Sequence, residues 1–278
     1  MAELNEKCAI IVAPNGAKKT QRDHPALPIT PQEIVNDVIA CRDAGAAMVH
    51  LHARDKQGHH SLAIDDNLET LSAVQSAVGN SIIIQLTTEA IGQYKPVEQM
   101  ELIQETRPEA ASFALKELIP DDSYLPIAEA FFHWVSENGI IAQYILYSEA
   151  DLKRYVDLIQ KGILPNKNHH LLFVLGRYHK QLQSVPTDLI PMLSEQVLMT
   201  KKPWATCAFG VNEQKCLVSA MLMGGDIRVG FENNHLTNQG LLAKSNAQQV
   251  LDIKNLTNLL NIKLHTAESY RKVLLSER

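Results

Sequence analysis

Two histidines separated by a single residue are the strongest chemical signal in this sequence. They are His50 and His52, and they close the apolar stretch Met48-Val49-His50-Leu51-His52. Side chains alternate between the two faces of a β-strand, so both imidazoles would point to the same side. Neutral imidazole is a common ligand of zinc and, less distinctively, of manganese, iron and nickel. The alternative is a pair of half-buried histidines that are hydrogen-bonded to neighbouring carbonyl groups.

A catalytic metal site needs a third protein ligand and an open coordination position. Glu232 is the candidate, because it directly follows residues 228–231 at the end of the last predicted strand. Active sites of α/β barrels lie where the strands end, and His52 also stands at a strand end. Placement alone would fit an exposed loop carboxylate equally well. We predict that His50, His52 and Glu232 bind a divalent metal, with zinc as the expected ion.

The elements that must position these residues follow a repeating pattern of short β-branched runs and longer amphipathic segments, typical of parallel βα units. The predicted strands are residues 8–12, 47–52, 81–85, 110–114, 140–146, 171–175, 204–209 and 227–231. The predicted helices are residues 32–44, 66–78, 96–105, 124–136, 149–161, 187–195, 213–223 and 247–260. Eight strands, each followed by a helix, predict a single (β/α)8 TIM barrel, one domain spanning residues 1–278.

An open doubly wound sheet is the alternative fold. It usually has five or six strands and carries a phosphate-binding loop, and no G-x-G-x-x-G or Walker sequence occurs here. The first helix has the clearest boundaries. Thr30 can cap it, Pro31 suits its first turn, Glu33 can return the capping hydrogen bond, and Gly45 can end it. This supports a helix between the first two strands.

Composition excludes several classes of partner. The 278 residues carry a formal net charge of −5 without a basic stripe, so we expect no nucleic-acid partner. No apolar run approaches the roughly 18 residues of a membrane span, so we expect no membrane insertion. The four cysteines form no C-x-x-C pair and are expected to be reduced, as in a cytoplasmic protein.

The remaining histidines are weaker candidates. His169 and His170 precede the sixth predicted strand, which places them at the barrel end opposite to the active-site rim. His59 and His60 form a loop pair for which the sequence suggests no partner.

Several stretches of the chain together resemble the β-keto acid cleavage enzymes. These stretches are residues 13–17, 27–33, 44–55, 82–85, 173–176, 224–234 and 245–247. They follow the family order from the first strand to the last helix and so cover nearly the whole chain. The resemblance implies a zinc-bearing barrel that forms homo-oligomers. It also implies cleavage of a β-keto acid against acetyl-CoA, with acetoacetate and a new acyl-CoA as products.

The resemblance also assigns roles to single residues. His50, His52 and Glu232 match the metal ligands of the family, and Arg228 matches its catalytic arginine. Thr87 stands at the position of a substrate-binding serine, and Ser112 at that of a threonine. A divalent metal at this place would polarise the ketone and hold the carboxylate of the substrate. Arg228 could then pair with a base or stabilise a developing oxyanion.

The departures from the family pattern lie on the same rim. Asn233 occupies the position of the catalytic aspartate, and an amide cannot accept a proton as a general base does. Lys18 replaces a glutamate that assists this base. Further changes affect the turn at residues 88–90, the fifth strand at residues 143–146, the loop at residues 177–180 and residues 210–211. The loop at residues 177–180 either binds a new anionic partner or is an ordinary solvated loop.

Three hypotheses follow. The chain is a divergent β-keto acid cleavage enzyme in which Glu89, Asp55 or His179 replaces the missing aspartate. Alternatively, it is a metal-dependent barrel with another reaction, such as a hydrolase or a lyase. In the third hypothesis, it is a catalytically silent barrel that binds metal and a small keto acid or acyl-CoA.

Overall fold

The computed structural model describes residues 7–179, 181–193 and 202–276. Eight parallel strands form a closed barrel in which each strand pairs with its neighbours in chain order. Its strands are β2 (Ile10–Val12), β3 (Met48–Leu51), β4 (Ile83–Thr87), β5 (Ala110–Phe113), β6 (Ile141–Leu146), β7 (His169–Leu175), β8 (Trp204–Ala208) and β9 (Asp226–Val229). The last strand pairs with the first, which closes the barrel. The predicted TIM barrel is therefore confirmed.

Helices connect these strands and surround the barrel. They are α1 (Pro31–Ala44), α2 (Ile64–Val78), α3 (Pro96–Thr106), α4 (Leu115–Leu118), α5 (Leu125–Glu137), α6 (Glu149–Gln160), α7 (Glu213–Leu222), α8 (Asn246–Leu259) and α9 (Ala267–Leu274). Short 3₁₀ helices occupy Gly79–Ser81, Asp122–Tyr124 and Pro186–Met192. Among the described residues, no helix is long and apolar enough to cross a membrane.

The start of α1 forms as its sequence predicts. Thr30 Oγ1 accepts a hydrogen bond from the backbone N–H of Glu33, and Glu33 Oε2 accepts one from the N–H of Thr30. Gly45 ends the helix at a positive φ of 123°. The capping residues thus fix where the chain turns between β2 and β3.

Alternation along the strands divides the apolar core into two layers. Val49 and Leu51 belong to the outer layer, which packs against the helices. Met48 and Ile83 belong to the inner layer, which fills the barrel. His50 and His52 follow Met48 at intervals of two residues, so they share its inward direction. Their placement inside the barrel mouth is a consequence of strand geometry.

Both ends of the chain contribute elements that the sequence pattern did not predict. The first predicted strand, residues 8–12, divides into β2 and a separate strand, β1 (Lys7–Cys8). The strand β1 pairs in parallel with β10 (Lys263–Leu264) outside the barrel. Two-residue strands are too short for a periodic signal to appear in the sequence.

The floor of the barrel is closed by α9 and a buried polar network. Tyr270 of α9 lies in the inner core layer, and its hydroxyl is 3.1 Å from His170 Nε2. His170 Nδ1 in turn lies 2.8 Å from Gln143 Nε2. Asp226 accepts a hydrogen bond of 2.6 Å from the backbone N–H of Ala9. His169 and His170 therefore lie at the end opposite to the rim, as predicted, but inside β7 rather than before it.

Two predicted elements differ clearly from the structure, while several other boundaries shift by one or two residues. The third strand was expected at residues 81–85, but the 3₁₀ helix Gly79–Ser81 delays it to Ile83–Thr87. The α-helix expected at residues 187–195 is a 3₁₀ helix over Pro186–Met192, where Pro191 has no N–H for the helical hydrogen bond. Residues 194–195 of that prediction lie outside the described part of the chain.

Candidate metal centre

Three side chains converge at the mouth of the barrel. The Nε2 atoms of His50 and His52 are 3.1 Å apart. Glu232 Oε2 lies 3.1 Å from His52 Nε2 and 3.6 Å from His50 Nε2. The structure therefore brings together the three residues that the sequence predicted as ligands: His50 in β3, His52 directly after it, and Glu232 in the loop after β9.

These distances fit a single bound cation. Tetrahedral zinc with ligands at about 2.0–2.1 Å separates its ligand atoms by about 3.4 Å, close to the three observed separations. Glu232 Oε2 is buried and accepts no hydrogen bond, although it faces both imidazoles. A buried carboxylate oxygen without a donor is costly, and a cation between the three atoms would satisfy it.

Gln85 orients the first histidine. Its Oε1 atom lies 2.7 Å from His50 Nδ1, and an amide oxygen can only accept, so Nδ1 carries the proton. The lone pair of Nε2 is then directed at the ligand cluster. Such hydrogen bonds behind a metal-binding imidazole fix its tautomer and its ring orientation. Gln85 had no role in the sequence-based prediction.

Arg228 and two glycines position Glu232. Arg228 Nη2 donates a hydrogen bond of 2.8 Å to Glu232 Oε1, which leaves Oε2 free for the histidines. At Gly16, where φ is +63°, a Cβ atom would lie 2.7 Å from Glu232 Cγ. At Gly230, with φ of +131°, a Cβ would lie 2.2 Å from the carbonyl oxygen of Ala13. Both positions therefore require glycine for Glu232 to reach the histidines.

A second arginine secures the loop that carries Gly16. Arg54 Nη2 donates to the backbone carbonyls of Gly16 and of Lys19, the latter at 3.0 Å. The guanidinium is buried, so these hydrogen bonds hold the loop firmly against the end of β3. The sequence placed Arg54 next to the histidines without indicating this task.

Electrostatics keep the three ligands in their metal-binding protonation states. Burial lowers the pKa of His50 to about 4 and that of His52 to about 3, so both imidazoles are neutral at pH 7. Burial alone would raise the pKa of Glu232, but Arg228 and the two histidines together hold it well below its usual value. Two neutral imidazoles and one carboxylate form a donor set that suits zinc.

A cavity of about 230 Å³ opens beside this cluster. His50, Glu232 and Arg228 line it, together with both predicted substrate-binding residues, Thr87 and Ser112. Ser112 Oγ is buried and has no hydrogen-bond partner in the described structure. Thr87 Oγ1 accepts a hydrogen bond of 3.0 Å from the backbone N–H of Glu89.

Asn233 occupies a different environment from the other predicted site residues. It is 3% exposed, and neither amide atom of its side chain has a hydrogen-bond partner in the described structure. It is not among the residues that line the cavity. Lys18 does line the cavity, next to Lys19, whose Nζ donates a hydrogen bond of 2.6 Å to the carbonyl of Phe231.

The three residues considered as substitutes for the aspartate lie in different surroundings. Glu89 lines the cavity, with Oε2 at 3.9 Å from His52 Nε2. Asp55 accepts hydrogen bonds from the backbone of its own loop, and His179 is exposed; neither lines this cavity. Arg177 Nη2 lies 3.3 Å from Glu89 Oε1. Lys180, the last residue of the Arg177 loop, lies outside the described residues.

The pKa of Glu89 is raised to about 7, mainly by burial and also by the charge of Glu232, while Arg177 opposes the shift. The sequence could not reveal the pair of Glu89 and Arg177, because the two residues come from loops after different strands. The only sign of this pair in the sequence was that the turn at residues 88–90 and the loop at residues 177–180 both depart from the family pattern.

Comparison with known proteins identifies the family. The sequence profile of the beta-keto acid cleavage enzymes matches residues 7–275. The chain belongs to this family. It is 26% identical over 276 residues to the 3-keto-5-aminohexanoate cleavage enzyme of Acetoanaerobium sticklandii, covering 97% of this chain and 98% of that enzyme.

Two further proteins are similar to this member of the β-keto acid cleavage family, one in sequence and one in fold. It is 24% identical to the 3,5-dioxohexanoate:acetyl-CoA acetone transferase of Paraburkholderia graminis, over 96% of this chain and 95% of that enzyme. The structure of ObcA in a ternary complex with a C4-CoA adduct and oxalate superposes with a TM-score of 0.70. That match has 17% identity and covers 90% of this chain and 67% of ObcA, so it supports the fold alone.

Proposed function

We propose that this family member is a metal-dependent transferase that cleaves a β-keto acid against acetyl-CoA, with acetoacetate and a new acyl-CoA as products. One observation carries the proposal. His50, His52 and Glu232 present ligand atoms within 4.8 Å of one another, and two of these residues line a cavity that Arg228 also lines. The family membership supplies the reaction class.

The proposed cofactor is a divalent cation, with zinc as the ion that best suits two imidazoles and a carboxylate. Bound at these three residues, the cation would supply a Lewis acid for the ketone oxygen and the carboxylate of the substrate. Three protein ligands leave a tetrahedral ion one open position, as a catalytic site requires.

The products define which bonds change. Acetoacetate contains the carboxylate and C2 of the keto acid together with the acetyl group of acetyl-CoA. A bond therefore forms between C2 and the acetyl carbonyl carbon, and the bond between C2 and C3 breaks. The CoA thiolate receives the released acyl group. A base must remove a proton from C2 before the first step, and the acetoacetate enolate regains a proton after the last.

Arg228, Thr87 and Ser112 are the proposed substrate contacts. The Arg228 guanidinium lies on the cavity wall and can stabilise negative charge that develops on the keto acid oxygens. The unpartnered hydroxyl of Ser112 can donate to an oxygen of the substrate, and Thr87 lines the cavity next to it on the neighbouring strand.

Glu89 is the proposed base in place of Asn233. Its carboxylate lines the same cavity as the ligands, and its 3.9 Å distance from His52 Nε2 places it beside the proposed metal. Arg177 anchors Oε1 on the side away from His52, which leaves Oε2 facing the reaction site. A general base of this kind accelerates a proton transfer by about 10²–10⁴-fold.

Acetoacetate formation tests the proposed function. The zinc-loaded protein is incubated with acetyl-CoA and a panel of β-keto acids, and acetoacetate and acyl-CoA are measured. We expect both products, and we expect His50→Ala to abolish them. His59→Ala is the matched control, because that side chain is 79% exposed and should leave the rates unchanged.

If neither acetoacetate nor acyl-CoA forms with any keto acid of the panel, the proposed reaction is overturned. The buried, unpartnered amide of Asn233 is the observation that favours a catalytically silent barrel, since it replaces an acidic group. If the inactive protein still bound zinc, two hypotheses would remain: a catalytically silent barrel, and an enzyme with another metal-dependent reaction, such as a hydrolase or lyase. The resemblance also predicts a homo-oligomer, which light scattering of the purified protein would test, whereas the expected cytoplasmic location rests on the unpaired cysteines.

A further inference from the structure

One wall of the cavity is apolar. Ile145 at the end of β6, Val174 near the end of β7 and Phe209 just after β8 line it. Val174 and Phe209 are 6% and 5% exposed. In a closed barrel of eight strands, β7 stands opposite to β3, which carries His50. The apolar wall therefore faces the metal ligands across the barrel mouth.

Arg177, a charged residue beside this wall, is already paired. Arg177 Nη2 lies 3.3 Å from Glu89 Oε1, and the Arg177 guanidinium lies 5.6 Å from the ring centre of Phe209. On the ligand side, Arg228 is paired with Glu232 at 2.8 Å. The cavity lysines, Lys18 and Lys19, follow β2 and so stand on the ligand side as well. Among the described lining residues on β6, β7, β8 and the loops after them, Arg177 is the only charged one, and it is paired with Glu89.

In the proposed function, a β-keto acid binds in this cavity in one orientation. Its carboxylate and ketone belong at the ligand side, with the proposed metal and Arg228. The group on the keto carbon then extends towards Ile145, Val174 and Phe209. A charged terminus there would lose its hydration without gaining a partner, or would have to break the pair between Arg177 and Glu89.

We infer that this protein selects β-keto acids whose chain beyond the ketone is uncharged and apolar, with Ile145, Val174 and Phe209 as its specificity wall. This inference rests on the proposed function, since it assumes that the keto acid binds at the ligand cluster. It goes beyond the proposed reaction because it names the class of substrate that these three residues select. Each additional methylene buried against the wall should tighten binding about fourfold, until the wall is covered.

A pair of keto acids of equal length tests the inference. The probes are 3-oxohexanoate, whose chain ends in a methyl group, and 3-oxohexanedioate, whose chain ends in a carboxylate. Calorimetric titration of the zinc-loaded protein without acetyl-CoA measures binding alone. We expect 3-oxohexanoate to bind at least tenfold more tightly. Equal affinities, tighter binding of the dicarboxylate or binding of neither acid would overturn the inference.

Two variants link this preference to the wall. Ile145→Ala should weaken binding of 3-oxohexanoate several-fold while changing binding of acetoacetate, with its single methyl group, much less. Ile190→Ala is the matched control, because that isoleucine is 62% exposed and lies outside the cavity. An Ile145→Ala protein with unchanged affinity for both acids would contradict the role of the wall.

The binding readout separates this inference from the proposed function. Selective binding of 3-oxohexanoate by a protein that forms no acetoacetate would overturn the acyl transfer alone. Acetoacetate formation with a preference for 3-oxohexanedioate would overturn the specificity inference alone.

Discussion

At the residue scale, the cavity contains two carboxylates that are anchored by different arginines. Arg228 holds Oε1 of Glu232, and Arg177 holds Oε1 of Glu89. In each pair the second oxygen remains directed at the histidines. In the proposed function, the two carboxylates therefore have separate tasks, one as a metal ligand and the other as a proton acceptor.

The Glu89→Gln variant should lower kcat by about 10²–10⁴-fold, because it removes the proposed base and preserves the shape of the side chain. The affinity for zinc should change little. Steady-state kinetics and a zinc titration measure both quantities. Glu101→Gln on α3 is the control, since that carboxylate is exposed and remote from the cavity.

Restoring an acid at the family position extends this test. Asn233→Asp in the Glu89→Gln background should recover part of the lost rate, because the aspartate reinstates a carboxylate beside Glu232. A double variant no faster than Glu89→Gln alone would show that residue 233 cannot reach the substrate. An undiminished rate in Glu89→Gln itself would exclude Glu89 as the base.

Gly16→Ala should weaken zinc binding, because its Cβ would lie 2.7 Å from Glu232 Cγ and displace this ligand. Gly92→Ala is a matched control. Gly92 also has a positive φ, +77°, but a Cβ there would contact nothing within 4 Å. Competition with a chelator of known affinity measures the zinc dissociation constants. Equal losses in both variants would indicate backbone strain rather than displacement of Glu232.

At the element scale, the barrel could be predicted from the sequence because each strand is a short β-branched run between helical segments. The inward direction of His50 and His52 followed from alternation, and Glu232 from its place after the last barrel strand. The pair of Glu89 and Arg177 could not be predicted, since loops of different strands meet only in three dimensions. The two-residue strands were missed because they are too short to show periodicity, and α9 was missed because it lies beyond the eighth predicted βα unit.

The contact between α9 and the barrel floor makes stability depend on pH. Burial raises the pKa of Asp226 to about 7, above its unfolded value, while hydrogen bonds from Ala9 and Tyr270 oppose the shift. Its protonated form therefore stabilises the fold fully below about pH 4, and this contribution is lost as the pH rises through 7. Burial lowers the pKa of His170 to about 3, so this neighbour stays neutral above pH 5.

Asp226→Asn removes this titration. The difference in melting temperature, variant minus wild type, should increase by several degrees between pH 5 and pH 8. The wild type loses the contribution of protonated Asp226 over this range, and one pKa unit corresponds to about 1.4 kcal/mol. Thermal denaturation in a series of buffers measures it. Asp157→Asn, at an exposed position of α6, should show no such trend. A constant difference across the range would contradict a buried, titrating Asp226.

At the scale of the whole molecule, the proposed metal joins distant parts of the chain. The ligands follow β3 and β9, and both strands flank β2 in the closed barrel. A cation there connects the beginning of the barrel to its end. Because the unfolded chain holds no such preformed cluster, binding should stabilise the folded state.

Zinc should therefore raise the melting temperature. At a free concentration of about 100 times the dissociation constant, the gain is about 2.7 kcal/mol, or roughly 5 °C for a protein of this size. Differential scanning fluorimetry after dialysis against EDTA, with and without added zinc, measures the shift. His59→Ala should keep it and His50→Ala should lose it. An equal shift in His50→Ala would place the zinc elsewhere.

The closed floor has a kinetic consequence. Tyr270 and Leu274 belong to the inner core layer at the end opposite to the rim, so we expect substrates to reach the cavity through one opening, at the rim. In the proposed reaction, a small acid and a long thioester would have to use that one opening. The acid, which belongs at the inner end, must then arrive before the thioester covers it. For the proposed reaction, the closed floor therefore predicts an ordered mechanism with inhibition by excess acetyl-CoA.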